Sequence, residues 1–184
     1  MSRAKPKPFF ANGHLGILIL MLVIFVVALF LWAWANVFIF PWMPQPLRVW
    51  MLNVGQGDAF FIEFPTGEQW LIDAGPDDAV LAKLGSLMLP WDRTLETIVL
   101  THADADHVTG FVSVLDNYQV QTVYESGARA HTPSDVAFLD RLKKEQADSR
   151  LLKAGDSFSV GDVHLSVLWP EQTMEGEYPV SRND

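Results

Sequence analysis

The stretch VLTHADADHVTG, residues 99–110, places two histidines and two aspartates within six positions, between an apolar run and a glycine. The whole chain of 184 residues contains five histidines, so potential metal ligands are concentrated here. The apolar residues before the cluster predict a buried strand, and VTGF after it predicts the start of a helix. Side chains held between a rigid strand and a helix have little freedom, which is what a metal site requires.

His102, Asp104 and Asp106 are spaced i, i+2 and i+4, so in an extended chain their side chains point to one side, with His107 adjacent. The chain has no cysteine, and any metal must therefore be held by nitrogen and oxygen ligands. Imidazole with carboxylate suits zinc, manganese or iron, and such ions activate water near neutral pH. We expect one or two divalent ions, with zinc ahead of manganese.

The cluster has two other interpretations, an EF-hand calcium loop and a polar surface loop. An EF-hand calcium loop starting at His102 would need Gly at its sixth position and Glu at its twelfth, where this chain has His107 and Ser113. That alternative is excluded. A polar surface loop that merely caps a helix remains open, although four potential ligands directly after an apolar strand favour a metal site.

Upstream of the cluster, three apolar segments are joined by the turn sequences GQGD and PTGE. They predict a meander of three antiparallel strands within residues 47–54, 59–64 and 69–75. Residues 78–90 have helical spacing with Asp78 at the start, and residues 96–101 predict a buried strand.

Downstream, the pattern predicts a helix over 109–118, a strand over 120–126 and an amphipathic helix over 133–148 with Ser134 or Asp135 as its cap. Short strands with glycine turns follow to residue 170. Strands that open in a meander and then alternate with helices predict a layered α/β or α+β domain.

The N-terminal part is different in character. Residues 15–40 contain no charged side chain, and about 20 apolar residues suffice to cross a bilayer. Three basic residues and no acidic one precede this run: Arg3, Lys5 and Lys7. The positive-inside rule then predicts a cytoplasmic segment 1–14, a single-pass transmembrane signal anchor at 15–40 and an extracytoplasmic remainder at the cell membrane.

A cleaved signal peptide is the alternative, because AWA at 33–35 fits a cleavage site. The apolar run is longer than a typical signal core, which favours a retained anchor. The proline-rich residues 41–46 predict a stiff linker, so the folded domain is expected from Leu47 onward.

The net charge is −9, and with three basic residues ahead of the apolar run, residues 41–184 carry 10 basic against 22 acidic side chains. Nucleic-acid phosphates are bound mainly through Lys and Arg. This acidic domain therefore has no general attraction for nucleic acid.

HADADH at 102–107 resembles the first metal motif of the metallo-β-lactamase-fold hydrolases, H-x-H-x-D-H, with Asp104 where the second histidine usually stands. LNVGQGDAFFIEF at 52–64, LIDAG at 71–75 and THADADHVTG at 101–110 are similar to the hydrolase domain of ComEC-type DNA-uptake proteins. The similarity spans residues 47–184. Asn53 departs from the Asp that this branch often has at that position.

The resemblance implies an αββα sandwich with a dinuclear site at one edge. His102 and Asp104 would bind one metal, and Asp106 with His107 would bind the other. Asp106 would also be catalytic, by helping to position the attacking water. Asp58 and Asp73 would be supporting residues beside the metal loop.

The same resemblance implies metal-dependent phosphodiester or nuclease activity, with DNA or a small phosphodiester as substrate. A single anchor cannot conduct DNA, so a channel partner for DNA uptake is expected. Lactones and choline-phosphate esters stay open as other substrates.

The family's remaining ligands come from a second half that this sequence lacks, so 47–184 is expected to be the N-terminal portion of the domain, incomplete at its C-terminus. The alternative function is a non-catalytic anchored module or a truncated fragment, and enzyme activity is expected only with the second half present.

Overall fold

The computed structural model of the chain describes residues 13–38, 45–145 and 148–175. The chain divides into two compact units at Pro44. In the first unit, helix α1 spans Gly13–Phe38. Its stretch Leu15–Asn36 is long and apolar enough to cross a membrane. Most of the predicted segment 1–14 and of the predicted linker lies outside the described residues.

The second unit is built on a six-stranded sheet in the order β1-β2-β3-β4-β5-β6. The strands are β1 Arg48–Met51, β2 Phe60–Glu63, β3 Gln69–Ile72, β4 Thr94–Leu100, β5 Gln119–Glu125 and β6 Asp148–Leu151. The first three strands pair antiparallel, which confirms the predicted meander. The pairs β3-β4, β4-β5 and β5-β6 are parallel.

Three helices and a hairpin complete this unit. The helices are α2 Ala79–Leu87, α3 Ala105–Asn117 and α4 Pro133–Glu145, and the hairpin strands are β7 Ser157–Val160 and β8 Val163–Ser166. Each helix connects one strand to the next parallel strand, because parallel neighbours need a crossover rather than a tight turn. The predicted mixed α/β class is confirmed.

Two hydrophobic cores lie on opposite faces of the six-stranded sheet. The larger core joins the sheet to the helices and includes Phe61, Leu71, Phe111 and Phe138. The smaller core joins the other face to the β7–β8 hairpin around Trp70, whose ring contacts neighbouring aromatic rings. The described residues thus form a helix layer, a large sheet and a small sheet.

The helix caps differ from the sequence prediction. Neither Ser134 nor Asp135 is the N-cap of α4, because the Thr132 hydroxyl oxygen accepts the Asp135 N–H at 3.2 Å, and Pro133 occupies the first helical position. Asp78 is the N-cap of α2, as predicted, but its side chain makes no capping hydrogen bond, and Asp77 Oδ1 accepts the Ala79 N–H at 2.8 Å instead. In both helices the capping hydrogen bond is made by a side chain that lies ahead of the residue predicted for it.

Strand directions give the sheet two distinct ends. Register places Arg48, Gln69 and Thr94 at one end, where the chain enters β1, and we call it the entry end. Ile72 and Leu100 lie at the opposite end, which we call the site end. The loops after β3 and β4 therefore meet at the site end, since these strands are parallel neighbours.

Candidate metal centre

The site end brings together residues that are far apart in sequence. Asp73 directly follows β3, and Thr101 with His102 directly follows β4. The adjacent strands fix these residues side by side, with the Asp73 N–H donating to the Val99 carbonyl at 2.9 Å. Rigid buried strands thus deliver a carboxylate, a hydroxyl and an imidazole to one point.

The metal loop is shorter than the sequence predicted. Helix α3 begins at Ala105 rather than near Thr109, and the Asp104 carbonyl already accepts the N–H groups of His107 and Val108 at 3.0 Å. The expectation of an extended chain from His102 through Asp106 was therefore wrong. Asp106 and His107 reach the site from the first turn of a helix, because Asp104 has the extended backbone of an N-cap residue.

Asp73 makes hydrogen bonds to two other residues of the site and is almost fully buried, with 3% of its surface exposed. Its Oδ1 accepts the Thr101 backbone N–H at 2.9 Å, and its Oδ2 accepts the Thr101 hydroxyl proton at 2.6 Å. Oδ2 also lies 2.9 Å from Nδ1 of His107. The backbone of Asp73 has a φ of 52°, a left-handed conformation that aspartate tolerates better than most residues.

These contacts fix the tautomers of both histidines. The Asp73 carboxylate has no proton to give, so Nδ1 of His107 is the donor in their hydrogen bond. The Thr101 hydroxyl uses its proton on Asp73, so Nδ1 of His102, 2.9 Å away, donates to the hydroxyl oxygen. In the neutral rings, both Nε2 atoms are then left with free lone pairs.

The two imidazoles lie close together, with ring centroids 4.0 Å apart. Each Nε2 has a carboxylate beside it: Asp104 Oδ2 is 3.5 Å from Nε2 of His102, and Asp106 Oδ1 is 3.9 Å from Nε2 of His107. One ligand atom from each of Asp73, His102 and His107 also lies within 4.8 Å of the others. Asp73 already uses both oxygens in hydrogen bonds, so we place it behind the ligands rather than among them.

The hydrogen bond to Asp73 raises the pKa of His107 above its ordinary value of 6.5, and the nearby charges of Asp106 and Asp58 act in the same direction. Burial opposes the shift without cancelling it. A negative environment that favours a proton on His107 also favours a cation at the same place. This electrostatic preference fits a divalent ion.

The loop before β2, which contains Gly55 and Gly57, packs against the site. A Cβ on Gly57 would lie 1.9 Å from the carbonyl oxygen of Asp106, so the loop packs directly on the start of α3. Gln56 Nε2 approaches Asp106 Oδ2 at 3.5 Å. Asp58, predicted as a supporting residue, contributes its backbone carbonyl, which accepts the Gly75 N–H at 3.1 Å, while its side chain is exposed.

Sequence reasoning missed two contributors, Thr101 and Gln56. The signal for Thr101 was its position between the strand and the first histidine, where a hydroxyl can reach both neighbours. No pattern in the sequence indicated that Gln56 approaches Asp106, 50 positions later.

A cavity of about 720 Å³ opens beside His102. Its lining is mainly apolar and includes Ile72 and Val99 from the sheet and Trp169 and Met174 from the segment after β8. Glu125 is a charged residue in this lining. Pockets of this size accommodate small-molecule ligands. His102, one of the candidate ligands, therefore borders a concave space.

Residues 69–179 match the family model described as a Beta-lactamase superfamily domain. The match covers more than half of the chain, and the chain belongs to this family. ComE operon protein 3 of Bacillus subtilis (strain 168) is 26% identical over an alignment of 165 residues that covers 80% of this chain and 21% of that protein. The chain thus spans about a fifth of the length of this curated relative. The resemblance stated from the HADADH and LIDAG motifs is confirmed.

Solved structures of metallo-β-lactamases are similar in fold. The Rm3 metallo-beta-lactamase is 20% identical, with a TM-score of 0.45 over 65% of this chain and 48% of the other. MEM-A1, a subclass B3 metallo-beta-lactamase isolated from a soil metagenome library, is 15% identical, with a TM-score of 0.49 over 68% and 53% of the two chains.

Proposed function

We propose that this chain is a membrane-anchored, extracytoplasmic, metal-dependent hydrolase that acts on phosphodiesters. One observation carries the proposal: both Nδ1 atoms, of His102 and His107, are held in hydrogen bonds at the site end, which leaves both Nε2 atoms free to bind a metal. Metal-binding histidines characteristically donate their other ring N–H to a carboxylate or similar acceptor.

The donor set fits one or two divalent ions. His102 with Asp104 would hold one ion, and Asp106 with His107 would hold the other, and the Nε2–carboxylate distances of 3.5 and 3.9 Å support this pairing. Two imidazoles and two carboxylates suit zinc first and manganese second. An ion held there would lower the pKa of a water ligand and polarise an ester bound beside it.

The chain's own residues then have separate tasks. Asp73 and Thr101 hold both imidazoles in one tautomer and one orientation. Asp106 is the proposed catalytic carboxylate, since its side chain is partly exposed, near His107 Nε2, and within reach of Gln56. The adjoining cavity beside His102 would accept the part of the substrate next to the scissile bond.

Relatedness to a ComE operon protein supports a DNA strand as the substrate and a role in DNA uptake. The acidic domain does not bind nucleic acid by general charge attraction. A separate channel protein would therefore have to bring the strand to the site. Small phosphodiesters are the simpler substrates for a first assay.

Helix α1 supports the membrane location. Leu15–Asn36 is long and apolar enough to span a bilayer. With basic residues Arg3, Lys5 and Lys7 ahead of it, the positive-inside rule puts the catalytic domain outside the cytoplasm.

The test uses the chain of residues 1–184, purified in detergent, stripped with a chelator and reloaded with Zn²⁺ or Mn²⁺. Bound metal is measured directly, and hydrolysis is followed on a chromogenic phosphodiester, single-stranded DNA, a lactone and a choline-phosphate ester. We expect His102→Ala and Asp106→Ala to bind less metal and to lose phosphodiester hydrolysis. His164→Ala is the matched control, because His164 is exposed and bonded to Ser159 on the hairpin.

Equal metal content in His102→Ala and the parent chain would refute the metal centre. Normal metal binding without hydrolysis of either phosphodiester would refute hydrolysis by residues 1–184 on their own, which is the result expected if the second half of the domain is required, and would leave the metal centre standing. Turnover of the lactone or the choline-phosphate ester alone would replace the proposed substrate class.

A further inference from the structure

An exposed apolar turn lies between α2 and β4. The Asp92 N–H donates to the Leu89 carbonyl at 2.9 Å, which closes a turn with Pro90 and Trp91 at its tip. Leu89 is 57% exposed and Trp91 is 77% exposed. Pro90 is the second residue of this turn, where the fixed φ angle of proline matches the turn geometry. We refer to residues 89–91 as the apolar turn.

Hydrogen bonds hold the polar residues after the turn against the protein. Asp92 Oδ1 accepts the Thr94 N–H at 3.2 Å, and Asp92 Oδ2 accepts a proton from Gln69 Nε2 at 2.9 Å. The Arg93 guanidinium lies over the ring of Tyr118, 5.4 Å from its centroid. The tip therefore presents apolar side chains, while Asp92 and the exposed Arg93 beside it make contacts with the body of the domain.

The position of the apolar turn indicates its partner. The turn immediately precedes Thr94, so it lies at the entry end of the sheet, where the chain also enters β1 at Arg48. Leu47, just before that strand, is 45% exposed. The two apolar points are separated by three strand spacings, about 14 Å.

The chain between Phe38, the end of α1, and Arg48 can extend at most about 35 Å. If α1 spans a bilayer, Arg48 at the entry end is therefore held within about 35 Å of the end of that helix. Tryptophan and leucine are the side chains that favour the interface between lipid and water. Single exposed apolar residues are ordinary, but a rigid apolar tip beside a membrane tether is not.

We propose that the apolar turn inserts into the interfacial region of the same bilayer that holds α1, and so orients the domain on the membrane. The inference rests on the proposed membrane anchoring and specifies a second, separate contact with lipid. Zwitterionic lipid is sufficient for this contact, because the side chains that enter it are uncharged.

The natural chain lacks cysteine, which allows single nitroxide labels at chosen sites. The chain of residues 1–184 is reconstituted in phosphatidylcholine vesicles with a label at Pro90→Cys, which keeps Leu89 and Trp91. Val23→Cys in α1 reports the anchor, and Val136→Cys is the matched exposed apolar control near the start of α4. Collision rates with oxygen, which concentrates in lipid, and with a water-soluble nickel chelate are measured for each label.

We expect the label at residue 90 to collide several-fold more with oxygen relative to the nickel chelate than the label at residue 136. Adding Leu89→Ser and Trp91→Ser to the Pro90→Cys chain should return its ratio to that of residue 136. An aqueous ratio at residue 90 with an immersed label at residue 23 would overturn the insertion and leave the anchor intact. An aqueous ratio at residue 23 would overturn the anchor and this inference together. Shielding of residue 90 from both reagents would mean burial against protein, which also overturns the inference.

Discussion

The Oδ2 atom of Asp73 lies 2.9 Å from Nδ1 of His107, although the two residues are 34 positions apart. The same oxygen accepts the Thr101 hydroxyl proton, and this hydroxyl in turn orients His102. One buried carboxylate therefore sets the orientation of both imidazoles. Asp73→Asn should weaken zinc binding about 10- to 100-fold, as loss of a hydrogen-bond partner behind a metal ligand typically does. Asparagine tolerates the left-handed backbone at this position.

The measurement is a competition titration of Zn²⁺ against a chromogenic chelator. Asp162→Asn is the matched control, since Asp162 is exposed in the β7–β8 turn. Unchanged zinc affinity in Asp73→Asn would show that Asp73 does not orient the ligands.

Thr101 supplies the hydroxyl between Asp73 and His102. Thr101→Val keeps the shape of the side chain but leaves a buried carboxylate oxygen short of a donor, which should lower the free energy of unfolding by about 1–3 kcal/mol. Urea denaturation of the metal-free chain measures this change. Thr101→Ser retains the hydroxyl and should recover most of the loss, whereas equal losses in both variants would assign the effect to the methyl group.

Gly110 in α3 has no room for a side chain. A Cβ there would lie 2.0 Å from the Ala74 carbonyl oxygen, and the Gly110 N–H donates to the Gly75 carbonyl at 3.0 Å. Gly110→Ala should destabilise the fold by about 1–3 kcal/mol, because α3 must move away from the loop after β3. The shift should also loosen metal binding.

Gly85 offers the opposite result for the same substitution. It lies in α2 and a Cβ there would meet nothing within 4 Å. Gly85→Ala should raise the free energy of unfolding by about 0.5–1 kcal/mol, since alanine favours the helix. Thermal unfolding of the two variants side by side tests the pair, and equal effects in both would contradict the close packing of α3 on this loop.

Arg129 lies between two buried carboxylates. Its Nη2 is 2.6 Å from Glu125 Oε2, and its Nη1 is 3.6 Å from Asp135 Oδ1. Arg129→Met should cost about 3–5 kcal/mol, because it leaves buried charge without its partner. Arg141→Met is the control, because the ion pair of Arg141 with Asp116 is exposed and should matter little. Similar denaturation midpoints for the two variants would argue against a structural role for the buried network.

Local pattern predicted the meander, the alternation of strands with helices and the cluster of potential ligands, because hydrophobic periodicity and turn residues can be recognised within short stretches of sequence. The same windows could not place the start of α3 inside the cluster. That start depends on Asp104 ending the extended segment, with its side chain near His102 rather than on the free N–H groups of the helix. The contacts of Gln56 with Asp106 and of Asp73 with His107 arise from strand order, which no local pattern contains.

The close approach of Gly57 to Asp106 and of Gly110 to Ala74 is made by main-chain atoms. The frame of the centre is thus backbone, and the ligand side chains are attached to it. Exchanging a ligand does not require rebuilding that frame, so the choice of metal is open to change by single substitutions. Asp104 is the proposed ligand at the position where the motif that it resembles has histidine, and Asp104→His is expected to shift the metal preference toward softer ions without a change of scaffold.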